Sequence, residues 1–232
     1  VISIMGPKAR DLLQSICPND LSHEAFPFGT SQEIELGYAI VRASRITYVG
    51  ELGWELYIPT EFMTGVYDEI VAAGTGFGLK HCGYHALNAL RMEKAYRHWG
   101  HDITDEDHVL EAGLGFTVSK RKAGFMGREA VLRKQEAGLS RRMVQFRMED
   151  PGVMLFHNEA IVRDGKIVGP VTSGNYGHFL GGAVGMGYVP CAGESEAEVL
   201  ASSYEIEVAG VRHRAVASLV PMHDPKSERV RA

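Results

Sequence analysis

From Arg141 onward the sequence is a series of short alternating apolar runs separated by turn residues, and this pattern constrains the fold more than any other feature. The runs at 142–148, 159–163, 166–173, 183–189, 204–209 and 212–219 alternate as strands with one buried face do. Asp164-Gly165 and Ala209-Gly210 separate pairs of them, and Asp-Gly between apolar runs is a strong hairpin signal. Short strands joined by tight turns predict a small antiparallel β-barrel over residues 140–232.

Residues 1–139 mix helices with strands, so the fold class expected for the whole is α+β. Residues 1–5 are an apolar run that reads as a buried strand. It has no initiator Met and no polar lead-in, so the expectation is an N-terminally truncated piece of a longer polypeptide, cut inside a domain. Gly6-Pro7 then starts a helix with Leu12, Leu13 and Ile16 on its buried face, and Pro18 ends it. Residues 19–31 read as loop. Strands are predicted over 33–37, 39–48 and 54–58, and a helix over 61–73 with Thr60 as its N-cap. A helix over 83–95 carries Ala86, Leu87, Leu90 and Ala95 on one stripe, with Arg91 at its border. Residues 96–125 read as irregular but rich in aromatics and acids, a composition that favours function over disorder. A helix over 127–137 ends at Gly138.

The chemistry concentrates at Tyr48-Val-Gly-Glu-Leu-Gly-Trp-Glu55 and at Arg91. A Gly-Glu-x-Gly turn between two strands presents the Glu51 carboxylate at the end of a sheet, where it can accept hydrogen bonds from an amine-rich ring. Arg91 is a planar cation suited to a carboxylate. Together they fit a ligand with an amide-like heterocycle at one end and an acid at the other, which is the shape of a folate. Ordinary alternatives stay open. Glu51 can be a solvent-facing turn residue, Arg91 can pair with Glu93 or Asp68, and Trp99 and Phe116 can be core.

Composition narrows the classes. The chain has 232 residues, 45% apolar and 23% charged, with a net charge of −5, which argues against a general nucleic-acid surface. No run approaches a membrane span, and no signal peptide is visible. Cys17, Cys82 and Cys191 have no CxxC spacing and read as reduced thiols. His81 and His85 have the spacing that can clamp zinc, but the Glu of a His-Glu-x-x-His motif is missing, so no metal is expected. Lys120-Arg121-Lys122 reads as a solvated basic cluster or as an attractant for a polyglutamate tail. No Gly-x-Gly-x-x-Gly follows an opening strand.

The chain as a whole resembles the folate-binding aminomethyltransferase family, that of the glycine cleavage T-protein. Gly6-Pro-Lys-Ala-Arg-Asp-Leu-Leu13 is similar to the family's mid-domain strand–helix element. Tyr48 to Glu55 is similar to its Tyr-Thr-Gly-Glu-x-Gly-aromatic-Glu motif, and Leu90-Arg91-Met92-Glu93 to its Leu-Arg-Leu-Glu helix. Thr172-Ser173-Gly174 with Gly187-Tyr188-Val189 resembles its barrel signature. Glu93 to Gly100 and Leu110-Glu111-Ala112-Gly113-Leu114 resemble most the C-terminal half of sarcosine and dimethylglycine dehydrogenases.

The resemblance implies an incomplete folate-binding domain over 1–139 and the T-protein barrel over 140–232. It implies tetrahydrofolate-dependent one-carbon transfer, with folate and a methylated or aminomethyl amine donor as partners. The alternative is a non-catalytic folate-binding or regulatory module of the same fold. Glu51 matches the glutamate that binds the pterin, Arg91 the arginine of the folate pocket, and Phe116 an aromatic near the ligand, with Tyr48 and Trp99 as neighbours. The family's catalytic aspartate lies upstream of the element matching 1–13, so no catalytic residue is assigned and weak folate binding is expected of the isolated chain. FAD would belong only to a missing N-terminal region, and a flavin domain there or a separate subunit is an expected partner. Neither nucleic acid nor membrane is an expected partner. The expected location is the cytoplasm, or the mitochondrial matrix in a eukaryote.

Overall fold

The computed structural model describes residues 1–119 and 121–232. Lys120 of the basic cluster lies outside the described residues, and its neighbours Arg121 and Lys122 are exposed. The chain divides into two compact units, residues 1–87 with 226–232, and residues 88–225. Its mixture of helix and sheet with a closed antiparallel barrel is the α+β class read from the sequence.

The first unit is built on a four-stranded antiparallel sheet in the order β1 (Ile2–Met5), β4 (Gly53–Tyr57), β3 (Ala39–Ser44), β2 (Ser31–Leu36). Helices α1 (Ala9–Gln14) and α2 (Met63–Gly74) pack with it around Leu13, Phe26, Leu36, Val41, Trp54 and Leu56. A single 3-10 turn, Thr60–Phe62, leads into α2, so Thr60 opens that turn rather than capping the α-helix. Strand β3 stops at Ser44, short of the expected 48. The guanidinium of the next residue, Arg45, is fully buried and donates to the Phe26 and Ala232 carbonyls. Gly53 cannot be replaced without disturbing the sheet, because a Cβ there would lie 2.5 Å from the Ile4 carbonyl oxygen of the paired strand.

In the second unit six strands close into a barrel. These are β5 (Arg141–Met148), β6 (Ala160–Arg163), β7 (Lys166–Gly177), β8 (Gly182–Pro190), β9 (Tyr204–Val208) and β10 (Val211–Ser218), in the order β10-β5-β8-β7-β6-β9. Closure leaves no exposed edge, the usual remedy for a small antiparallel sheet. Val144, Phe146, Leu155, Ile161, Val171 and Ile206 fill its interior. The opposite face of β5 and β8 is covered too, by Met92 and Ala95 packed on Met143, Val184 and Met186.

That covering explains helix α3 (Tyr84–Glu93), within which the two units divide. Its buried residues are Ala89, Arg91, Met92 and Glu93; of the predicted stripe, Ala95 is buried but lies past the helix end, Ala86 is exposed, and Leu87 and Leu90 are half-buried. One-face periodicity fails because the last turn and the residues after it are enclosed on all sides. The orphan carbonyls at the helix end are then satisfied by a side chain. Gln145 of β5 donates to the Met92 carbonyl at 2.8 Å and the Glu93 carbonyl at 3.1 Å.

Helix α4 (Arg128–Ala137) lies where expected. Helix α5 (Glu196–Ala201) does not appear in the sequence reading, although Ser195-Glu-Ala-Glu198 is a capping-box signature and both reciprocal hydrogen bonds form. A last short helix, α6 (Glu228–Arg231), belongs to the first unit. No helix among the described residues is long and apolar enough to cross a membrane.

Candidate functional site

The candidate residues fall in both units. In the first, Glu51 sits on the turn between β3 and β4, where Gly50 takes a φ of +77° that an L side chain would resist. The Glu51 side chain keeps 20% of its surface exposed, and its Oε1 accepts from Arg229 of α6 at 2.7 Å. Arg229 is 48% exposed, so the pair is a solvent-screened one and binds its partners weakly. Tyr48 on the same turn is half-buried.

Arg91 belongs to the second unit and is 2% exposed. Its Nη1 donates to Asp102 Oδ2 at 2.5 Å and to the Tyr96 carbonyl at 3.0 Å. Nη2 donates to Ser173 Oγ at 2.8 Å, and Nε to Asn88 Oδ1 at 2.7 Å. The guanidinium is thus consumed by the protein, and its carboxylate is Asp102 rather than Glu93 or Asp68. Asp102, whose side chain has no exposed surface, accepts from the His98 backbone N–H at 2.8 Å and from Thr172 Oγ1 at 2.6 Å as well.

A β-bulge makes this arrangement. The pairing of β7 with β8 shifts between Val171 and Ser173, leaving Thr172 as an extra residue. Consecutive side chains of a regular strand point to opposite faces, but a bulge re-aims one of them. Thr172 and Ser173 therefore serve the same ion pair, one at each end. Sequence reasoning missed Asp102 and Ser173 as partners of Arg91, and Thr172 as a partner of Asp102. The available signal was that an arginine beside a helical apolar stripe requires a carboxylate, and Asp102 follows it on the Gly100-His101 turn.

Glu93, buried next to Arg91, accepts from the backbone N–H groups of Phe179 and Leu180 at 2.7 and 2.9 Å. A cavity of about 490 Å³ opens beside Asp102, His101, Arg141 and Tyr188. The Tyr188 hydroxyl is buried with no hydrogen-bond partner among the described residues, and burial raises its pKa, so it stays protonated. The Arg141 guanidinium lies over its ring, 4.3 Å from the centroid. Trp99 and Phe116 are 66% and 83% exposed, so neither ring is core. Among the described residues no group of three or more His, Cys, Asp or Glu is placed to hold a metal ion.

Glu111, in the segment matched to the dehydrogenases, is tied to Lys134 at 2.5 Å, to Arg141 at 3.2 Å and to Ser140 Oγ at 2.8 Å. Burial pushes its pKa up, but the hydrogen bonds and the Lys134 charge outweigh burial and hold it down, to about 2 from 4.5. A depressed carboxylate contributes stability above its unfolded pKa and loses it as pH falls through its folded one. Acid unfolding of the chain should therefore steepen between pH 4.5 and about 2, and Glu111→Gln should flatten that part of a stability-against-pH curve. An unchanged curve would show that the network contributes nothing to acid stability.

Comparison with known proteins agrees with the architecture. The family model described as the GCVT N-terminal domain matches residues 1–122, and the glycine cleavage T-protein C-terminal barrel domain matches residues 141–224. The mitochondrial sarcosine dehydrogenase of Homo sapiens is 43% identical over 100% of the chain and 26% of its own length. The 4-methylaminobutanoate oxidase (formaldehyde-forming) of Paenarthrobacter nicotinovorans is 43% identical over 99% of the chain and 27% of its own length. The crystal structure of glycine cleavage system aminomethyltransferase T from Bartonella henselae superposes with a TM-score of 0.79 at 25% identity, over 95% of the chain and 58% of that protein. The chain spans about a quarter of the length of these dehydrogenase and oxidase relatives.

Proposed function

We propose a function on the premise that this chain belongs to the glycine cleavage T-protein family. It serves tetrahydrofolate-dependent one-carbon transfer of the aminomethyl type, as the C-terminal part of a T-protein or of a sarcosine or dimethylglycine dehydrogenase-like protein. The names of the relatives supply the amine class: sarcosine and 4-methylaminobutanoate are both N-methylated amino acids. The mitochondrial relative would place a eukaryotic bearer of the chain in the matrix, and a bacterial one would be cytoplasmic.

The observation that carries the reading is Glu51. Its carboxylate sits on a glycine-bounded turn, partly open to solvent and held by an exposed guanidinium that a ligand can displace. Such a group fits the donor-rich edge of a pterin, to which it would offer charge-assisted hydrogen bonds. Tyr48 stands on the same turn. In the second unit, considered by itself, the rings of Trp99 and Phe116 are exposed, as a surface for stacking on an aromatic group requires. Arg91, enclosed and fully engaged, acts as a positioning residue that holds Asp102 and the 96–102 segment in place. Tetrahydrofolate supplies the nucleophilic nitrogen that accepts the one-carbon unit. No residue of the chain is assigned a proton-transfer role.

The test is calorimetric titration of tetrahydrofolate into the full-length protein. Removing a charge-assisted hydrogen bond costs about 1.5–3 kcal/mol, so Glu51→Ala should weaken binding roughly tenfold to a hundredfold. Arg229→Ala should leave it equal or tighter, because the competing guanidinium is gone. Binding that ignores Glu51→Ala would overturn the assignment. Binding without transfer to folate of the one-carbon unit from an N-methyl amine would favour the non-catalytic module instead.

A further inference from the structure

A second cavity, of about 630 Å³, lies within the second unit between α4, the 110–119 segment and the end of β8. It has no part in the folate reading. Leu110, Val118, Phe125, Val131, Leu132 and Leu139 give it an apolar lining. Its volume is within the range of small-molecule sites, roughly 300–1,000 Å³.

The lining is unusual for what it leaves uncovered. Helix α4 has ten residues and none is buried, and Leu132 is 39% exposed. A helix this short is marginal in water and normally depends on packing of an apolar face. Here the Lys134–Glu111 ion pair anchors the helix while Val131 and Leu132 border empty space.

The charges at the cavity are asymmetric. Arg128 and Arg142 both line it. Among the described residues Arg128 forms no ion pair. Arg142 pairs at 2.9 Å with Glu196, itself 66% exposed, and its buried Nε has no hydrogen-bond partner among the described residues. The one carboxylate in the lining, Glu194, pairs with Arg163 at 2.8 Å. The Cys191 thiol in the lining is neutral, because burial raises its pKa.

We infer that this cavity binds an amphipathic anion, a molecule with an apolar body seated under α4 and one carboxylate or sulfonate held by Arg128 and Arg142. Such a ligand covers the apolar face that the fold leaves open and supplies an acceptor for the Arg142 Nε.

The probe is anilinonaphthalene sulfonate, titrated by fluorescence into the full-length protein, with the uncharged N-phenylnaphthylamine beside it. Loss of one charge-assisted hydrogen bond corresponds to about a tenfold rise in Kd or more, and that is the effect expected of Arg142→Gln and of Arg128→Glu on the sulfonate. Neither should shift binding of the uncharged probe more than about twofold. Arg128 is at the start of an exposed helix, so its variant should fold even if the β5 variant does not. Val131→Glu should abolish binding of the sulfonate. Lack of saturable binding, or saturable binding indifferent to Arg128→Glu, overturns the proposal. So does displacement of the probe by tetrahydrofolate, which would make this cavity the folate pocket. Glu51→Ala distinguishes the two readings, because it should weaken folate and leave the sulfonate probe unaffected.

Discussion

Asp102→Ala is expected to destabilise the protein by about 3–5 kcal/mol, the cost of leaving a buried guanidinium without its carboxylate. The Arg91 and Asp102 side chains are 2% and 0% exposed, so the variant leaves a buried guanidinium without its counter-charge. The His98 amide loses this acceptor in the same step, and the Thr172 hydroxyl is left with the Met186 carbonyl at 3.1 Å. Chemical denaturation would show the fall directly. Replacing both charges, as Arg91→Met with Asp102→Leu, should recover a large part of the loss, because removing a buried pair together removes its desolvation cost as well. Recovery should be incomplete, since the Ser173 hydroxyl loses its Arg91 donor and the His98 amide its Asp102 acceptor. A loss below about 1 kcal/mol for Asp102→Ala would mean that the pair behaves like a surface salt bridge.

Gly174→Ala is the second large effect. A Cβ at this position would stand 2.7 Å from the carbonyl carbon and the Cβ of Leu155, and 2.8 Å from the Phe156 nitrogen. Backbone on both sides must move, and overpacking of this kind costs about 1–3 kcal/mol. Gly174 follows Ser173, so the displacement also loosens the hydroxyl that holds Arg91. The opposite sign is expected at Gly65 in α2, where a Cβ meets nothing within 4 Å. There alanine should stabilise the helix by up to about 1 kcal/mol. Thermal melts of the two variants should move in opposite directions. If Gly174→Ala melts like the parent, the 155–156 segment is not packed on β7 as described.

The barrel was legible because its information is local. Alternation along each run, Asp164-Gly165 and Ala209-Gly210 specify strands and turns without reference to distant residues, and the strands form close to where the runs place them. Helix α5 was equally local, its capping box written in Ser195 and Glu198, but too short to show periodicity. The resemblance to the T-protein family was legible for the same reason, since its motifs are contiguous strings.

The Arg91 cluster was not legible in this way. Its guanidinium is bound by residues 3, 11 and 82 positions away along the chain. The hydroxyls of Thr172 and Ser173 come together only because a bulge interrupts the regular strand. Sequence by itself determined the strands, most of the helices, the Glu51 turn and the family. Tertiary structure decided which charges are paired and which are free. It turned Arg91 inward to Asp102, and it gave Glu51 a partner in Arg229, 178 residues on. The physical reason is that secondary structure follows from neighbours within a few residues, whereas burial of a charge depends on whichever distant groups the closed barrel and the packed sheet bring within hydrogen-bond reach.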